Sequence, residues 1–324
     1  HQTLRATLDW SYALLSEPER TLFHRLAVFA GGFSMEAAER VCADLSVPVL
    51  AVLSQLVDKS LVVVEHHHDE ARYRLLEIIR EYAQEKASHL ELVQARDRHL
   101  DYYLGLVEQA QVELRGAKRV LWLRWAEAEH DNLRAALSWS LDHREQAALQ
   151  LCGTLWRFWK ARGYISEGRH WLEVTLARNA AAPPESQSAA LAGLGLLALV
   201  QGDLACAQRA FAQDLELQQA QNCPTGIVKA MGRLAYLARL QGNQSDAAIL
   251  LQASLDIARS TGDESVIAGV LTDLGNVAWR QGHYERAVSL LQESLMLYEQ
   301  VGDTFNYAQA LGLLGSVARE QGQF

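Results

Sequence analysis

The sequence predicts a mainly α-helical protein in which a small helical domain carrying one β-hairpin precedes an α-solenoid. Three observations lead there. The dipeptide Gln-Gly returns every 40 residues, at Gln201-Gly202, Gln241-Gly242, Gln281-Gly282 and Gln321-Gly322, and self-similarity at a fixed period signals a repeat array. Around each glycine, apolar and small residues recur three or four apart, as in Leu274, Gly275, Ala278 and then Ala287, Leu290, Leu291, so each unit holds two amphipathic helices. Far upstream, short helical stretches close on two β-rich segments that flank the polar tip His66-His67-His68-Asp69-Glu70, the pattern of a hairpin.

From the N-terminus, residues 3–15 form a helix with Leu4, Leu8, Tyr12 and Leu15 on one face. Ser16-Glu17-Pro18-Glu19 is a capping box that opens a second helix, which carries Leu22, Phe23, Leu26 and Phe29 up to the break at Gly31-Gly32. Ser34 caps a third helix, residues 49–59 form a fourth, and strands are expected at 61–65 and 72–76. Helices followed by a hairpin make residues 1–88 a winged-helix domain. Residues 89–148 then read as a helical joint. Residues 149–324 form the array, with units at 149–189, 190–229, 230–269 and 270–309 and a partial one at 310–324. Glycine at each Gln-Gly can take the left-handed conformation that ends a helix. In Gly262-Asp263 and Gly302-Asp303 the aspartate can cap the next helix.

Composition narrows the function. A formal charge of -9 disfavours nonspecific attraction to nucleic acid or an anionic membrane. No apolar run approaches the roughly 18 residues that span a bilayer, and no leader pattern points to secretion. Cys42, Cys152, Cys206 and Cys223 are scattered, which favours reduced thiols and a cytoplasmic location. A start without methionine inside a helical pattern and a stop in mid-repeat lead us to expect a piece of a larger protein.

The repeat frame, with Leu-Gly, a small residue, Gly and then Ala in the second helix, resembles the tetratricopeptide repeat. It departs in its longer period and in lacking the usual closing proline, both consistent with longer helices. The resemblance implies a right-handed solenoid whose first helices line the concave side. A second resemblance is more specific. His1-Gln2-Thr3-Leu4-Arg5-Ala6-Thr7-Leu8-Asp9-Trp10-Ser11-Tyr12, Phe29-Ala30-Gly31-Gly32-Phe33-Ser34, Leu56-Val57-Asp58-Lys59-Ser60-Leu61-Val62, Tyr73-Arg74-Leu75-Leu76-Glu77 and Glu129-His130-Asp131-Asn132-Leu133-Arg134-Ala135-Ala136-Leu137 are similar to the winged-helix region, and the segment after it, of NB-ARC-type STAND signalling ATPases, many of them bacterial LuxR/AfsR-like transcriptional regulators. What this implies is a regulatory, non-enzymatic part of a nucleotide switch, with ATP or ADP and Mg held elsewhere in the parent protein and no cofactor in this part. In that family, Met-His-Asp often ends the winged helix, its histidine touching the ADP β-phosphate. Leu75, Leu76 and Glu77 stand there instead, so Leu76 and Glu77 form a degenerate nucleotide-sensing position. The phosphate loop Gly-x-x-x-x-Gly-Lys-Ser/Thr does not occur in the sequence.

Other features read more plainly. The run His66 to His68 with Asp69 and Glu70 could bind metal, but neighbouring positions on a strand point apart, so no metal site is assigned. The helix over 47–59 offers only Gln55 and Lys59 to a base edge, against direct nucleic-acid contact. His130 and Asp131 lack a nucleophile in a recognisable motif, and no catalytic residue is assigned. Trp122, Trp125, Trp139, Trp156, Trp159 and Trp171 are expected to fill the joint. Function is therefore placed on the surface of the first helices. Positions 40 apart stack Leu199, Arg239, Trp279 and Arg319 in a column, with Lys229, Tyr236, Asn276, Arg280, Gln309 and Ser316 beside it. A cationic and aromatic groove suits an acidic peptide, a protein or small-molecule inducer, or the nucleotide-binding domain of the same polypeptide, with no membrane partner. The alternatives are a DNA-binding winged-helix regulator and a metal-dependent hydrolase.

Overall fold

The computed structural model describes residues 2–67, 70–113, 118–179 and 182–322. It divides into two compact units, residues 1–164 with 177–179, and residues 165–176 with 180–324.

The first unit contains α1 (Gln2–Ala13), α2 (Glu17–Leu26), α3 (Met35–Val41), α4 (Val49–Asp58), β1 (Val63–His67), β2 (Glu70–Arg74), α5 (Glu77–Lys86), α6 (His89–Glu113), α7 (Arg119–Ala128), α8 (His130–His143) and α9 (Glu145–Arg162). Its helix starts follow the caps written in the sequence. The Ser16 amide and hydroxyl both donate to the Glu19 carboxylate at 2.7 Å, and Ser34 Oγ accepts from the Ala37 amide at 3.1 Å. The apolar positions of α2 and α4 meet in a core where Leu22, Phe23, Leu26, Leu53 and Leu56 are fully buried, each contributing about 1.5–3 kcal/mol of burial.

The hairpin is antiparallel, pairing Val63 with Arg74 and His67 with Glu70, and it is displaced by two residues from the expected strands. Ser60 is the cause. It takes a left-handed conformation (φ 58°), and the amides of Leu61 and Val62 both return to the Leu56 carbonyl, so these two residues stay in a buried turn. On the far side Leu75 is buried and Leu76 caps α5. The polar tip falls partly outside the described residues.

One polar knot ties the wing to later helices. Buried Glu129 accepts from Arg72 Nη1 at 2.6 Å, Tyr103 Oη at 2.6 Å and Asn132 Nδ2 at 2.8 Å. Asn132 Oδ1 in turn accepts from the amides of Ala30 and Gly31, while its Nδ2 also donates to the Gly32 carbonyl. Three carboxylate bonds and a filled amide satisfy every group that burial would otherwise penalise. Helix α9, assigned from sequence largely to the array, packs on α6 and α8. Trp122 and Trp159 are buried in this first unit, while Trp125, Trp139 and Trp156 are half-buried.

The second unit holds most of α10 (Ile165–Arg178), then α11 (Pro184–Val200), α12 (Leu204–Ala220), α13 (Pro224–Leu240), α14 (Gln244–Thr261), α15 (Glu264–Arg280), α16 (Tyr284–Val301) and α17 (Thr304–Glu320). Consecutive helices from α11 onward pack as hairpins of a tetratricopeptide-like solenoid. Each first helix ends the same way. Gly202, Gly242 and Gly282 are left-handed (φ 77°, 84° and 79°), and the amide after each returns to Ala198, Ala238 or Ala278 at 2.8–2.9 Å, the six-to-one bond of a Schellman cap. Between units, Gly262 and Gly302 are left-handed too, and Asn222 (φ 50°) fills that role one period earlier. The small residues of the frame mark close approach: a Cβ on Gly195 would lie 2.3 Å from the Phe211 ring.

One layer of the solenoid is polar. Asp214 of α12, fully buried, receives Ser188 Oγ from α11 at 2.5 Å and Arg233 Nη1 from α13 at 2.5 Å, and Gln218 Nε2 donates to Ser188 Oγ at 2.6 Å. One period on, Ser254 and Asp273 hold the places of Asp214 and Arg233.

Candidate partner-binding face

Helices α13, α15 and α17 lie side by side, which stacks Arg239, Trp279 and Arg319 in one column and Tyr236, Asn276 and Ser316 in the next. Each column sits in the last two turns before a Gln-Gly cap. The Arg239 guanidinium lies 5.7 Å from the Tyr236 ring centre and that of Arg280 lies 5.5 Å from the Trp279 ring centre, both within cation–π range. Arg280 Nε donates to Asn276 Oδ1 at 3.2 Å. Arg239 is half-buried, and its Nε is buried with no hydrogen-bond partner among the described residues. Burial lowers its pKa, the charge of Asp273 opposes that and the like charge of Arg280 adds to it.

Asp273 is the residue that sequence reasoning missed on this face. Its side chain reaches solvent, yet the crowded surroundings leave it poorly hydrated. That pushes its carboxyl up to about 6 against the attraction of Arg239. Its signal was present in the period, since residue 273 occupies the place of Arg233.

The columns differ in exposure. Lys229, Arg280 and Arg319 are exposed, Asn276 and Ser316 are half-buried, and Tyr236 is 45% exposed. Ser316 spends its hydroxyl on the Gly312 carbonyl. Trp279 is half-buried against a cluster of Ala278, Ala287, Leu291 and Val317. The indole packs beside Ala278 and Ala287, and Tyr236 is the more accessible ring.

At the degenerate nucleotide position, Leu75 is buried and Leu76 exposed. Glu77 is engaged by Arg80 through Nε at 3.0 Å and Nη2 at 2.5 Å, and that guanidinium holds its carboxyl below the usual range. The exposed residues of α4 are Leu50, Ala51, Ser54, Gln55 and Asp58, while Lys59 just beyond is bound to Glu19 and the Leu14 carbonyl. Among the described residues, no group of three His, Cys, Asp or Glu is placed to hold a metal, and no helix is long and apolar enough to cross a membrane.

Fold and face together define a winged-helix domain followed by a tetratricopeptide-like repeat array. Residues 15–88 match the family model of a winged helix-turn-helix domain, and residues 266–324 match that of the tetratricopeptide repeat. Among curated proteins, the chain is 43% identical over 179 residues to a "Putative HTH-type transcriptional regulator" of Mycobacterium tuberculosis, covering 54% of this chain and 20% of that protein. It is 53% identical over 91 residues to an uncharacterised protein of the same species, covering 27% of this chain and 23% of that one. The chain thus spans about a fifth of the length of the curated relatives it matches. Among solved structures, the apo form of RapI aligns with a TM-score of 0.55 at 11% identity, over 76% of this chain and 67% of that one. A STAND protein with a tetratricopeptide repeat sensor from Pyrococcus horikoshii aligns with a TM-score of 0.49 at 17% identity, over 96% of this chain and 48% of that one. The RapI likeness is one of fold, that of helical repeats.

Proposed function

We propose that this chain is the sensor part of a larger regulatory protein, binding a partner on the face of α13, α15 and α17 and relaying that event to a nucleotide-binding domain of the STAND type. The observation that carries the reading is the pairing of two arginines with rings, Arg239 with Tyr236 and Arg280 with Trp279, on a face where Tyr236 and Arg280 are exposed. Arginine beside an aromatic ring suits a carboxylate-bearing peptide or domain, which would supply charge-assisted hydrogen bonds and cover the ring. A fluorescence-anisotropy screen of acidic peptides tests it. Binding by the intact chain should fall at least tenfold, about 1.4 kcal/mol, in Arg239→Glu and in Tyr236→Ala, with the circular dichroism spectrum unchanged. Equal binding by wild type and both variants would remove the face from consideration.

A second reading is favoured by the winged helix-turn-helix match and by the name of the mycobacterial relative: contact with DNA through the first unit. Against it stands the exposed side of α4, which offers Gln55 and Asp58 but no free cation, whereas DNA affinity is dominated by phosphate neutralisation. A mobility shift of duplex DNA that weakens steeply with salt would favour this second reading.

A further inference from the structure

Asp273 breaks the run of positive charge on the face of α13, α15 and α17. It stands on α15 seven residues before Arg280, about 10.5 Å along the helix axis, and the repeat places it at the level of Arg233 on α13. Arg233 turns to Asp214 and forms a buried pair. Asp273 has Ser254 in the place of that acid, and the two do not bond, since the Ser254 hydroxyl is buried with no partner among the described residues. Nor does Asp273 make any other hydrogen bond or ion pair among the described residues; the charge it feels is that of Arg239, which does not close on it. The residue is exposed, yet the protein around it is dense enough that lost hydration pushes its carboxyl up to about 6. A side chain that water reaches while protein crowds it lies in a recess of the face rather than on open surface.

The two signs are therefore laid out at a fixed spacing. Arg280 is exposed, engaged by the Trp279 ring and Asn276 but by no carboxylate among the described residues, and Arg239 is close enough to feel its like charge. Two turns away stands the unmatched acid. A purely acidic partner would meet Asp273 as a like charge, whereas a partner that also carries a cation replaces the hydration Asp273 has lost. An extended chain advances about 3.3 Å per residue, so the interval from Asp273 to Arg280 corresponds to about three residues of a bound peptide.

Resting on the partner-binding reading above, we propose that the occupant of this face is an extended peptide segment with a Lys or Arg about three residues from a carboxylate, its cation on Asp273 and its carboxylate toward Arg239 and Arg280. Fluorescence anisotropy with the intact chain tests it on labelled alanine-based octapeptides, acetylated and amidated, each with two adjacent glutamates. One set carries lysine three residues from the nearer glutamate, on either side of the pair; a second has norleucine in its place; a third has lysine directly beside the glutamates. Lysine at the three-residue interval should bind at least tenfold tighter than norleucine in one of the two chain directions, and lysine beside the glutamates should bring no such gain. Asp273→Asn should abolish the gain while leaving the norleucine peptides bound as well as in wild type or better, because a negative charge has left the neighbourhood of the arginines. Equal binding of lysine and norleucine peptides at that interval overturns the proposal. So does a gain that survives in Asp273→Asn or that appears at both spacings, which would be the general attraction of a cation to a chain of net charge -9. If norleucine peptides bind, Arg239→Glu weakens them and lysine adds nothing, the acidic-partner face stands and only the paired-charge pattern falls; if no peptide binds, both fall.

Discussion

Arg233 is where a single side-chain change should cost the repeat array most. Its guanidinium, 26% exposed, is the cationic partner of Asp214, which is 0% exposed. Replacing Arg233 with methionine keeps most of the stem's packing but strands a carboxylate whose remaining partner is Ser188 Oγ. Removing one member of a buried pair typically costs about 3–5 kcal/mol. The access of this site to solvent along the arginine puts the expectation near the lower end, about 3 kcal/mol. The reverse change, Asp214→Leu, leaves an arginine that can still turn toward water and should cost about 1–2 kcal/mol. The double variant removes both charges and should lie within about 1–2 kcal/mol of wild type, because an apolar pair of similar volume often replaces a buried ion pair without loss. Urea unfolding followed by circular dichroism on the four proteins closes the cycle. If Arg233→Met unfolds at the wild-type midpoint, or if the double variant loses the sum of the two single losses, the pair is not coupled as described.

Three further outcomes are expected. Gly195→Ala should destabilise by about 1–2 kcal/mol, the overpacking against Phe211 outweighing the roughly 1 kcal/mol gained in helix propensity. Gly232→Ala, with nothing within 4 Å of the added carbon, should stabilise by up to that 1 kcal/mol, and thermal melts of the two variants should move in opposite directions. Asp273 has a folded-state pKa raised to about 6, so its contribution to stability is greatest below about pH 4 and is lost as pH rises through about 6; Asp273→Asn should flatten that part of the stability–pH profile and raise stability at pH 7. With Leu76 and an Arg80-bound Glu77 at the wing's end, calorimetry of this chain should detect no ATP or ADP binding at micromolar affinity, and a stoichiometric heat abolished by changing Leu76 would contradict that.

The helical array was legible because its information is local. Gln-Gly caps, the Asp263 and Asp303 N-caps and the Leu-Gly…Ala spacing act within a few residues of one another, and the helices start and stop where those signals stand. Asn222 escaped the pattern because it serves as the left-handed residue without being glycine. The strands shifted because one left-handed serine holds Leu61 and Val62 in a turn that their β-propensity did not reveal. Long-range partners were beyond reach: nothing in the sequence couples Glu129 to Arg72 and Tyr103. On the candidate face, the positions of Arg239 and Arg280 followed from the period. The half-burial of Trp279 did not, since it depends on how much space Ala287 and Val317 leave.

An array of similar units is exposed to a genetic accident that other folds escape, the loss of one whole period by recombination between repeats. Excising 40 residues so that α12 ran directly into α15 would leave the remaining caps and apolar contact positions in phase. It would also set Asp273 where Arg233 now stands, facing Asp214. Two carboxylates would then share a site built for one acid and one base, and one of them would have to take up a proton or the helices part. The polar layer therefore gives adjacent units individual identities, and the number of repeats is guarded by charge even where shape alone would accept a shorter chain.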